Sequence, residues 1–151
     1  MNCLQIVTGS AFAVLMFGAC VNPHVAIGPG QDDFSVKLAG DYSLDRTSAH
    51  EITIAPEVWN DSIPTIPSKV IECATDGRFI IAKRQGLKRR NLNPKDTYKE
   101  PDPGVFDYWI LDTNDPASAL GPLSKADFDA KRKGLKIADT LTMKDIYSFR
   151  R

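Results

Sequence analysis

The sequence predicts an α+β fold, an antiparallel β-meander of about five strands with one or two C-terminal helices packed on it. Two stretches, 41–47 and 50–56, alternate apolar and polar residues with a period of two, which is typical of half-buried strands. Asp76 and Gly77 stand between two apolar runs, and Asp-Gly in that position is a strong hairpin signal. Helical features begin only after the strands, at Ser124, so we expect the helices to cover one face of the sheet.

The two alternating stretches predict the first hairpin. Tyr42, Leu44 and Arg46 fall on one side of its first strand, and its second strand places two isoleucines on one side. Only the short sequence "TSA" separates the strands, which is enough for a turn. We expect the hydroxyls of Thr47 and Ser48 to satisfy backbone groups in that turn.

The next segment, 56–67, holds three prolines and therefore cannot be a central strand. We predict a loop that is anchored by Val58, Trp59 and Ile66. The second hairpin follows, formed by "KVIECAT" and "RFIIAKRQ" on either side of the Asp-Gly pair. Cys73 lies among apolar residues of this hairpin, so we expect a buried and unreactive thiol.

The remaining elements are predicted from composition and capping signals. Residues 86–104 are polar and rich in proline, which predicts a long loop, and the aromatic stretch "VFDYWILD" predicts the fifth strand. Ser124 is a predicted N-cap with Asp127 three residues later, and Gly134 is predicted just beyond the end of that helix. The apolar residues of "ADTLTMKDIYSFRR" predict a second short helix.

Residues 1–19 have the features of a signal peptide. The mostly apolar run from Ile6 to Phe17 is too short for a membrane-spanning helix, which needs about 20 apolar residues. The sequence from Phe17 to Cys20 resembles the lipobox of bacterial lipoproteins, in which the cysteine becomes the acylated first residue. Phe17 stands where that motif usually has leucine, and the leader carries no lysine or arginine. The alternatives are a plain secretory signal and a cytosolic protein with an apolar N-terminus.

The resulting domain organisation is a signal peptide at 1–19, lipidated Cys20 with a flexible tether at 20–33, and one α+β domain at 34–151. The tether contains two prolines and two glycines and no clear periodicity. The cysteine count agrees with acylation, because cleavage removes Cys3, acylation uses Cys20 and only Cys73 is left. We therefore expect a lipoprotein in the cell envelope, anchored to the membrane and facing outside the cytoplasm.

The charged residues are balanced in number but segregated along the chain. Lysine and arginine number 19, as do aspartate and glutamate, so net charge gives no argument for a nucleic-acid partner, and we expect none. Seven basic and no acidic residues lie between 78 and 95, whereas six acidic residues and one lysine lie between 96 and 115. Either these charges pair within the fold, or the basic segment faces an anionic surface. For the second hypothesis the candidate contacts are Lys88, Arg89 and Arg90.

Catalytic and metal-binding motifs are missing from the sequence. A catalytic triad of Ser48, His50 and Asp45 has the right residue types. However, Ser48 and His50 are only two residues apart near a turn, and that spacing does not by itself place an acid behind the imidazole ring. Cys73 with His50 would form a thiol–imidazole pair only if their strands were neighbours. No C-x-x-C or H-E-x-x-H pattern is present, so we expect no metal and no cofactor.

The order of segments resembles a known family. "GDYSLDRTSAHEI", "IPSKVIECATDGRFIIAKRQ", "YWILD" and "GPLSKADFDAKRKGLKI" follow one another between Gly40 and Ile137. Together they resemble small bacterial lipoproteins catalogued only as a domain of unknown function. The resemblance implies an envelope location and a single domain, and it brings no catalytic residues.

Three functional hypotheses remain after these observations. The first is a non-enzymatic, lipid-anchored domain that binds an envelope protein or a cell-surface polymer. The second is an inhibitor or immunity-type lipoprotein that blocks an enzyme. The third is a small hydrolase that uses His50. A pocket lined by His50 with a carboxylate in reach would favour the enzyme, and a convex surface would favour binding.

Acylation of Cys20 gives the first testable prediction. The wild-type protein should partition into detergent, and the Cys20→Ser variant should partition into water, because stable anchoring needs the acyl chains that the cysteine carries. Intact mass should place two or more acyl chains on a mature chain that begins at Cys20. A soluble wild-type protein with a different first residue would contradict the prediction.

Overall fold

The computed structural model describes residues 32–58, 61–115, 117 and 119–150. The predicted signal peptide, Cys20, nearly all of the tether and Trp59 lie outside the described residues. The described part contains eight strands, one α-helix and one 3-10 helix. In chain order these are β1 (Phe34–Lys37), β2 (Tyr42–Arg46), β3 (Ile52–Pro56), β4 (Val70–Thr75), β5 (Phe79–Arg89), β6 (Lys99–Asp112), β7 (Leu120–Leu123), α1 (Lys125–Gly134), β8 (Lys144–Asp145) and the 3-10 helix Ile146–Phe149.

The strands form two antiparallel sheets, so the predicted α+β class is confirmed. The first sheet has the order β1-β2-β3, and the second has the order β7-β6-β5-β4-β8. Both predicted hairpins are present, since β2 pairs with β3 and β4 pairs with β5. Gly77 adopts a φ of 95° at the second turn, a conformation that glycine tolerates without strain. The meander therefore divides between two sheets, and the short strands β1, β7 and β8 are additions to the five predicted.

The second sheet is buried on both faces. Successive side chains of a strand point to opposite faces, and β5 divides accordingly. Ile80 and Ala82 pack in a cluster shared with the first sheet, whereas Phe79 and Ile81 pack in a cluster shared with Phe128 of α1. The continuous apolar run at the start of β5 follows from this arrangement, because alternation is lost where both faces are covered.

The helix begins as predicted and ends slightly differently. The Ser124 hydroxyl accepts a hydrogen bond from the Asp127 backbone N–H at 3.1 Å, as an N-cap does. Gly134 is the last helical residue rather than the residue beyond it, and the positive φ falls on Lys136, at 57°. The second predicted helix is the single 3-10 turn, whose Ile146 is buried.

The segment 56–67 is the loop that its prolines predict, but only part of its anchoring is confirmed. Ile66 is fully buried and forms an isolated bridge with Ile54 of β3. Val58 is 79% exposed, so the prediction that it packs on the sheet was wrong. From Ile66 the chain crosses to the second sheet, where Lys69 and Gln85 exchange backbone hydrogen bonds.

Most of the predicted loop at 86–104 is strand. β5 continues to Arg89 and β6 begins at Lys99, so only residues 90–98 form the connection. Pairing of β5 with β4 ends at Arg84, and pairing of β6 with β7 begins at Tyr108. The two strands therefore project beyond the second sheet as a two-stranded extension, residues 86–107, which we call the arm.

Residues 102–105 bulge out of β6 opposite Gly86, because the register moves from Gln85↔Phe106 to Leu87↔Pro101. A β-bulge of this kind bends a strand and redirects the side chains beside it. The bulge places Val105 against Gly86, where a Cβ atom added to the glycine would lie 2.7 Å from Val105 Cγ1.

Among the described residues, no helix is both long enough and apolar enough to cross a membrane.

Gly121 of β7 gives a prediction about packing. A Cβ atom at this position would lie 2.3 Å from Cδ2 of Trp109, a rigid ring packed against the core. Gly121→Ala should therefore reduce the free energy of unfolding by about 1–3 kcal/mol, the usual cost of overpacking. This change in the free energy of unfolding can be measured by urea unfolding, monitored by tryptophan fluorescence.

Gly134→Ala is the matched control for that variant. No atom lies within 4 Å of a Cβ placed at Gly134, and its φ is not positive. This second variant should be neutral or more stable by about 0.4–1 kcal/mol, because alanine reduces the freedom of the unfolded chain. Equal stability of the two alanine variants would contradict the packing of Gly121 on Trp109.

Candidate binding cleft

An open cleft of about 1010 Å³ lies between the arm and the turn that joins β2 to β3. Residues 48–51 of the turn form one wall, residues 97–99 of the arm form the other, and residues 67–68 of the crossing segment lie between them. Arg84 and Asp107 line the cleft where the arm leaves the second sheet. The cleft therefore depends on the arm, which sequence analysis treated as a loop.

A closed hydrogen-bond network fixes the floor of the cleft. The Arg84 guanidinium donates through Nε and Nη2 to the Asp107 carboxylate, with the shortest contact at 2.7 Å, and through Nη1 to the Ser68 carbonyl at 2.8 Å. Asp107 also accepts from the indole N–H of Trp109 at 2.7 Å. The Ser68 hydroxyl donates to Glu51 at 2.6 Å. These hydrogen bonds hold the cleft in shape, and the charges of Arg84 and Asp107 already satisfy each other.

His50 is one of the side chains in the cleft that have unused hydrogen-bonding groups. Its backbone N–H donates to the Ser48 hydroxyl at 3.2 Å, but its ring makes no hydrogen bond to a described residue. Nδ1 is buried without a partner. The ring packs edge-on against Tyr98, with centroids 6.0 Å apart. A buried ring nitrogen that lacks a partner normally costs free energy.

The predicted triad does not form. The Ser48 hydroxyl accepts from the backbone N–H groups of His50 and Glu51, at 3.2 and 2.9 Å, which is the turn role expected for it. The Asp45 carboxylate accepts from the hydroxyls of Ser35 and Ser43, each at 2.6 Å. Glu51 and Asp107 also line the cleft but make no hydrogen bond to the His50 ring. His50 therefore has carboxylates nearby and none behind its ring.

Cys73 does not belong to the cleft. It lies in β4 opposite Ala82 and is 0% exposed. Burial raises the pKa of its thiol to about 12, because desolvation penalises the thiolate. The predicted burial is confirmed, and the thiol–imidazole hypothesis has no geometric support.

The segregated charges pair across the β5–β6 hairpin. Residues at similar distances from the turn face each other, so the basic strand meets the acidic one. The ion pairs, in order towards the tip, are Arg78–Asp112 at 2.5 Å, Arg84–Asp107 at 2.7 Å, Lys88–Glu100 at 4.0 Å and Arg90–Asp96 at 2.8 Å. Hydrogen bonding by Arg78 and Arg90 lowers the pKa of Asp112 and Asp96 respectively.

The three predicted surface contacts therefore have different environments. Arg90 is held by Asp96 and lies over the Tyr98 ring at 4.9 Å. Lys88 is at the limit of an ion pair with Glu100, and Arg89 is exposed with no ion-pair partner in the described part of the chain. Their contact with an anionic surface remains a prediction.

Two features of the cleft were not predicted from the sequence. Tyr98 is half-exposed in one wall, and Arg84 with Asp107 forms the floor. The opposite charges at 84 and 107 are visible in the sequence, but their pairing can be predicted only if residues 86–104 are taken as a hairpin.

Within the described ranges, no group of three or more His, Cys, Asp or Glu residues is placed to hold a metal ion.

Comparison with known proteins identifies a family. A family model described as "Protein of unknown function (DUF3997)" matches residues 39–147, which include β2 to β8 and the α-helix but not β1. No curated protein and no solved structure matches the chain.

The reactivity of Cys73 tests its burial. Because a thiol with a pKa of about 12 holds almost no thiolate near neutral pH, maleimide should label Cys73 at least about a hundredfold more slowly than an exposed cysteine. The reference is the cysteine of Leu135→Cys, at the exposed end of α1. Peptide mass spectrometry distinguishes the two sites, and urea should remove the difference. Rapid native labelling at position 73 would contradict the buried environment.

Proposed function

The chain belongs to the DUF3997 family of proteins of unknown function, and we propose that it is a lipid-anchored envelope protein whose folded domain binds a partner. The partner is an envelope protein or a surface polymer, and the cleft beside His50 is its binding site. The observation that carries the binding role is an open cleft with a satisfied floor and an imidazole ring that has no hydrogen-bond partner.

The anchor in this proposal rests on the sequence. The uncharged leader, the lipobox-like residues 17–20 and the proline- and glycine-containing tether occur in the order that a lipoprotein requires. A folded domain begins directly afterwards, with β1 at Phe34. In this proposal the whole domain lies outside the cytoplasm, beside the membrane into which the acyl chains insert.

The binding role rests on which groups in the cleft are unused. Tyr98 provides a half-exposed ring, and aromatic side chains with one polar end are enriched in binding sites. His50 provides ring nitrogens that can donate or accept. Thr97, Lys99 and Val105 complete a wall of mixed polarity, and ligand sites commonly combine a few polar groups with apolar surface in this way.

The cleft is concave and lined by His50, which is the shape expected of an enzyme rather than the convex surface expected of a binding domain, but its hydrogen bonds do not form a catalytic arrangement. A serine hydrolase needs its imidazole to bond to the nucleophile on one side and to an orienting acid on the other. The Ser48 hydroxyl is instead engaged by two backbone N–H groups, and the His50 ring bonds to neither Glu51 nor Asp107. An inhibitor or immunity-type role is one form of the binding function, in which the partner is an enzyme.

A hydrolase that uses His50 is the second candidate, because His50 and Ser48 line the same cleft. Catalytic hydrogen bonds are often poorly formed before substrate binds. A fluorophosphonate probe tests this candidate directly. Labelling of Ser48 that disappears in His50→Ala would replace the binding proposal with an acyl-transfer enzyme.

Crosslinking in intact envelopes tests the binding function. Wild-type protein should capture a discrete partner, and His50→Ala and Tyr98→Ala should each reduce capture at least about tenfold, because each removes a contact of the size found at binding hot spots. Tyr147→Ala is the matched control, since Tyr147 is half-exposed but lies outside the cleft. If the wild type and the three variants capture the partner equally, the cleft is not the binding site. If the wild type captures no partner, the binding function is wrong.

A further inference from the structure

We propose that the end of the arm, residues 88–99, is a contact site for an anionic lipid bilayer. We call these residues the arm tip. Leu92 enters the bilayer surface there, and Arg89 and Lys95 lie against the lipid phosphates. This inference rests on the proposed lipid anchor, and it identifies the bilayer that carries the anchor as a second binding partner of the domain.

The arm tip is strongly basic although the chain has no net charge. It contains five basic residues and one acidic residue, Asp96. Asp96 is taken by Arg90, with Nη2 at 2.8 Å. Arg89 and Lys95 are exposed and have no ion-pair partner in the described part of the chain. Pairing along the hairpin therefore neutralises the base of the arm and leaves its end positively charged, and such a surface attracts anionic lipid headgroups.

The arm tip also presents an apolar side chain to solvent. Leu92 is 97% exposed, and the arm region from 92 to 106 contains four of the seven exposed large hydrophobic residues in the described part of the chain. Burial of an exposed leucine in the bilayer surface gains free energy in proportion to the apolar area removed from water. An apolar side chain at the apex with cations beside it is the arrangement found in surface-binding membrane segments.

Hydrogen bonds hold the arm tip in a fixed shape. The Asp96 carboxylate accepts from the side chains of Arg90 and Asn91 and from the backbone N–H of Tyr98, the last at 3.0 Å. The Asn93 side chain accepts from the Lys95 backbone N–H at 3.0 Å. The hydrogen bonds from Arg90 lower the pKa of Asp96, so this carboxylate stays charged at neutral pH. Leu92 is thus presented by a preorganised loop, which reduces the entropy cost of binding.

The register of the first sheet places the start of the domain near the arm. Phe34 pairs with Arg46, the last residue of β2, and the turn at 47–51 follows directly. That turn forms the wall of the cleft opposite the arm, where His50 contacts Tyr98. The tether therefore joins the domain at the end from which the arm projects.

The tether is short enough to keep that end close to the membrane. The segment from 20 to 33 has 14 residues, and a chain of that length reaches at most about 50 Å even when fully extended. A domain of 118 residues has a diameter of roughly 35 Å. The bilayer is thus held nearer to the attached end of the domain than to the opposite end. Anchoring supplies the local concentration that lets a few weak charge contacts act.

The test uses the mature acylated protein reconstituted into phosphatidylcholine vesicles, with and without phosphatidylglycerol. An environment-sensitive dye is attached to Leu92→Cys, or to Leu135→Cys at the end of α1 as the matched control. The dye at position 92 should brighten and shift to shorter wavelength only when phosphatidylglycerol is present, and molar salt should reverse the change, because salt screens the attraction. The dye at position 135 should report water in every sample.

Two double variants assign the charge contribution. Arg89→Gln with Lys95→Gln should lower the equilibrium constant for contact of the arm tip with the bilayer about thirty-fold. Each basic residue near an anionic surface contributes a factor of about five, and the two factors multiply. Lys131→Gln with Lys133→Gln removes the same charge from exposed positions on α1 and should leave the signal unchanged. Identical signals at positions 92 and 135, or equal effects of the two double variants, would overturn the proposal. Detergent partition of the same samples reports the anchor separately, so an anchored chain with a water-exposed tip refutes the arm contact alone.

Discussion

The ion pair between Arg84 and Asp107 is the interaction on which the cleft and the arm depend. It lies where the arm leaves the second sheet, and both side chains are largely buried. Its hydrogen bonds reach the crossing segment through Ser68 and the core through Trp109. Loss of one partner from such a pair typically costs about 3–5 kcal/mol, because the remaining charge is stranded in a poorly solvated place. The pair therefore ties the direction of the arm to the packing between the two sheets.

The hairpin formed by β5 and β6 explains why charges of one sign are clustered along the sequence. Charges of opposite sign in consecutive segments become cross-strand neighbours when the segments fold against each other, and their pairing then favours one register. This accounts for the zero net charge together with the long single-sign runs. The pattern ends before the apex, where Arg89 and Lys95 have no acidic residue opposite them, so the balance of charge is local rather than uniform.

Period-two patterns and turn signals were sufficient to predict the class and both early hairpins, because each of these signals is local. Ser124 and the Asp76-Gly77 turn are examples in which a few adjacent residues determine the geometry. The arm could not be predicted in the same way. Its strands mix polar residues with exposed apolar ones because little of the arm is buried, β6 contains two prolines, and the bulge at 102–105 breaks the alternation. His50 was identified as a candidate, but Tyr98 and the floor of the cleft depend on pairing between residues more than 20 positions apart.

The cleft and the arm tip lie at one end of the domain, and their positions connect the two proposals. Tyr98 forms part of one wall of the cleft, makes a T-shaped contact with His50, and carries Arg90 of the arm tip over its ring. Asp96, which holds Arg90, also accepts from the Tyr98 backbone N–H. The wall of the cleft and the basic tip are thus connected by hydrogen bonds and ring contacts. Contact of the tip with a bilayer would orient the cleft towards the membrane surface, so a partner that itself resides in the envelope would meet the site in a fixed orientation and at low entropic cost.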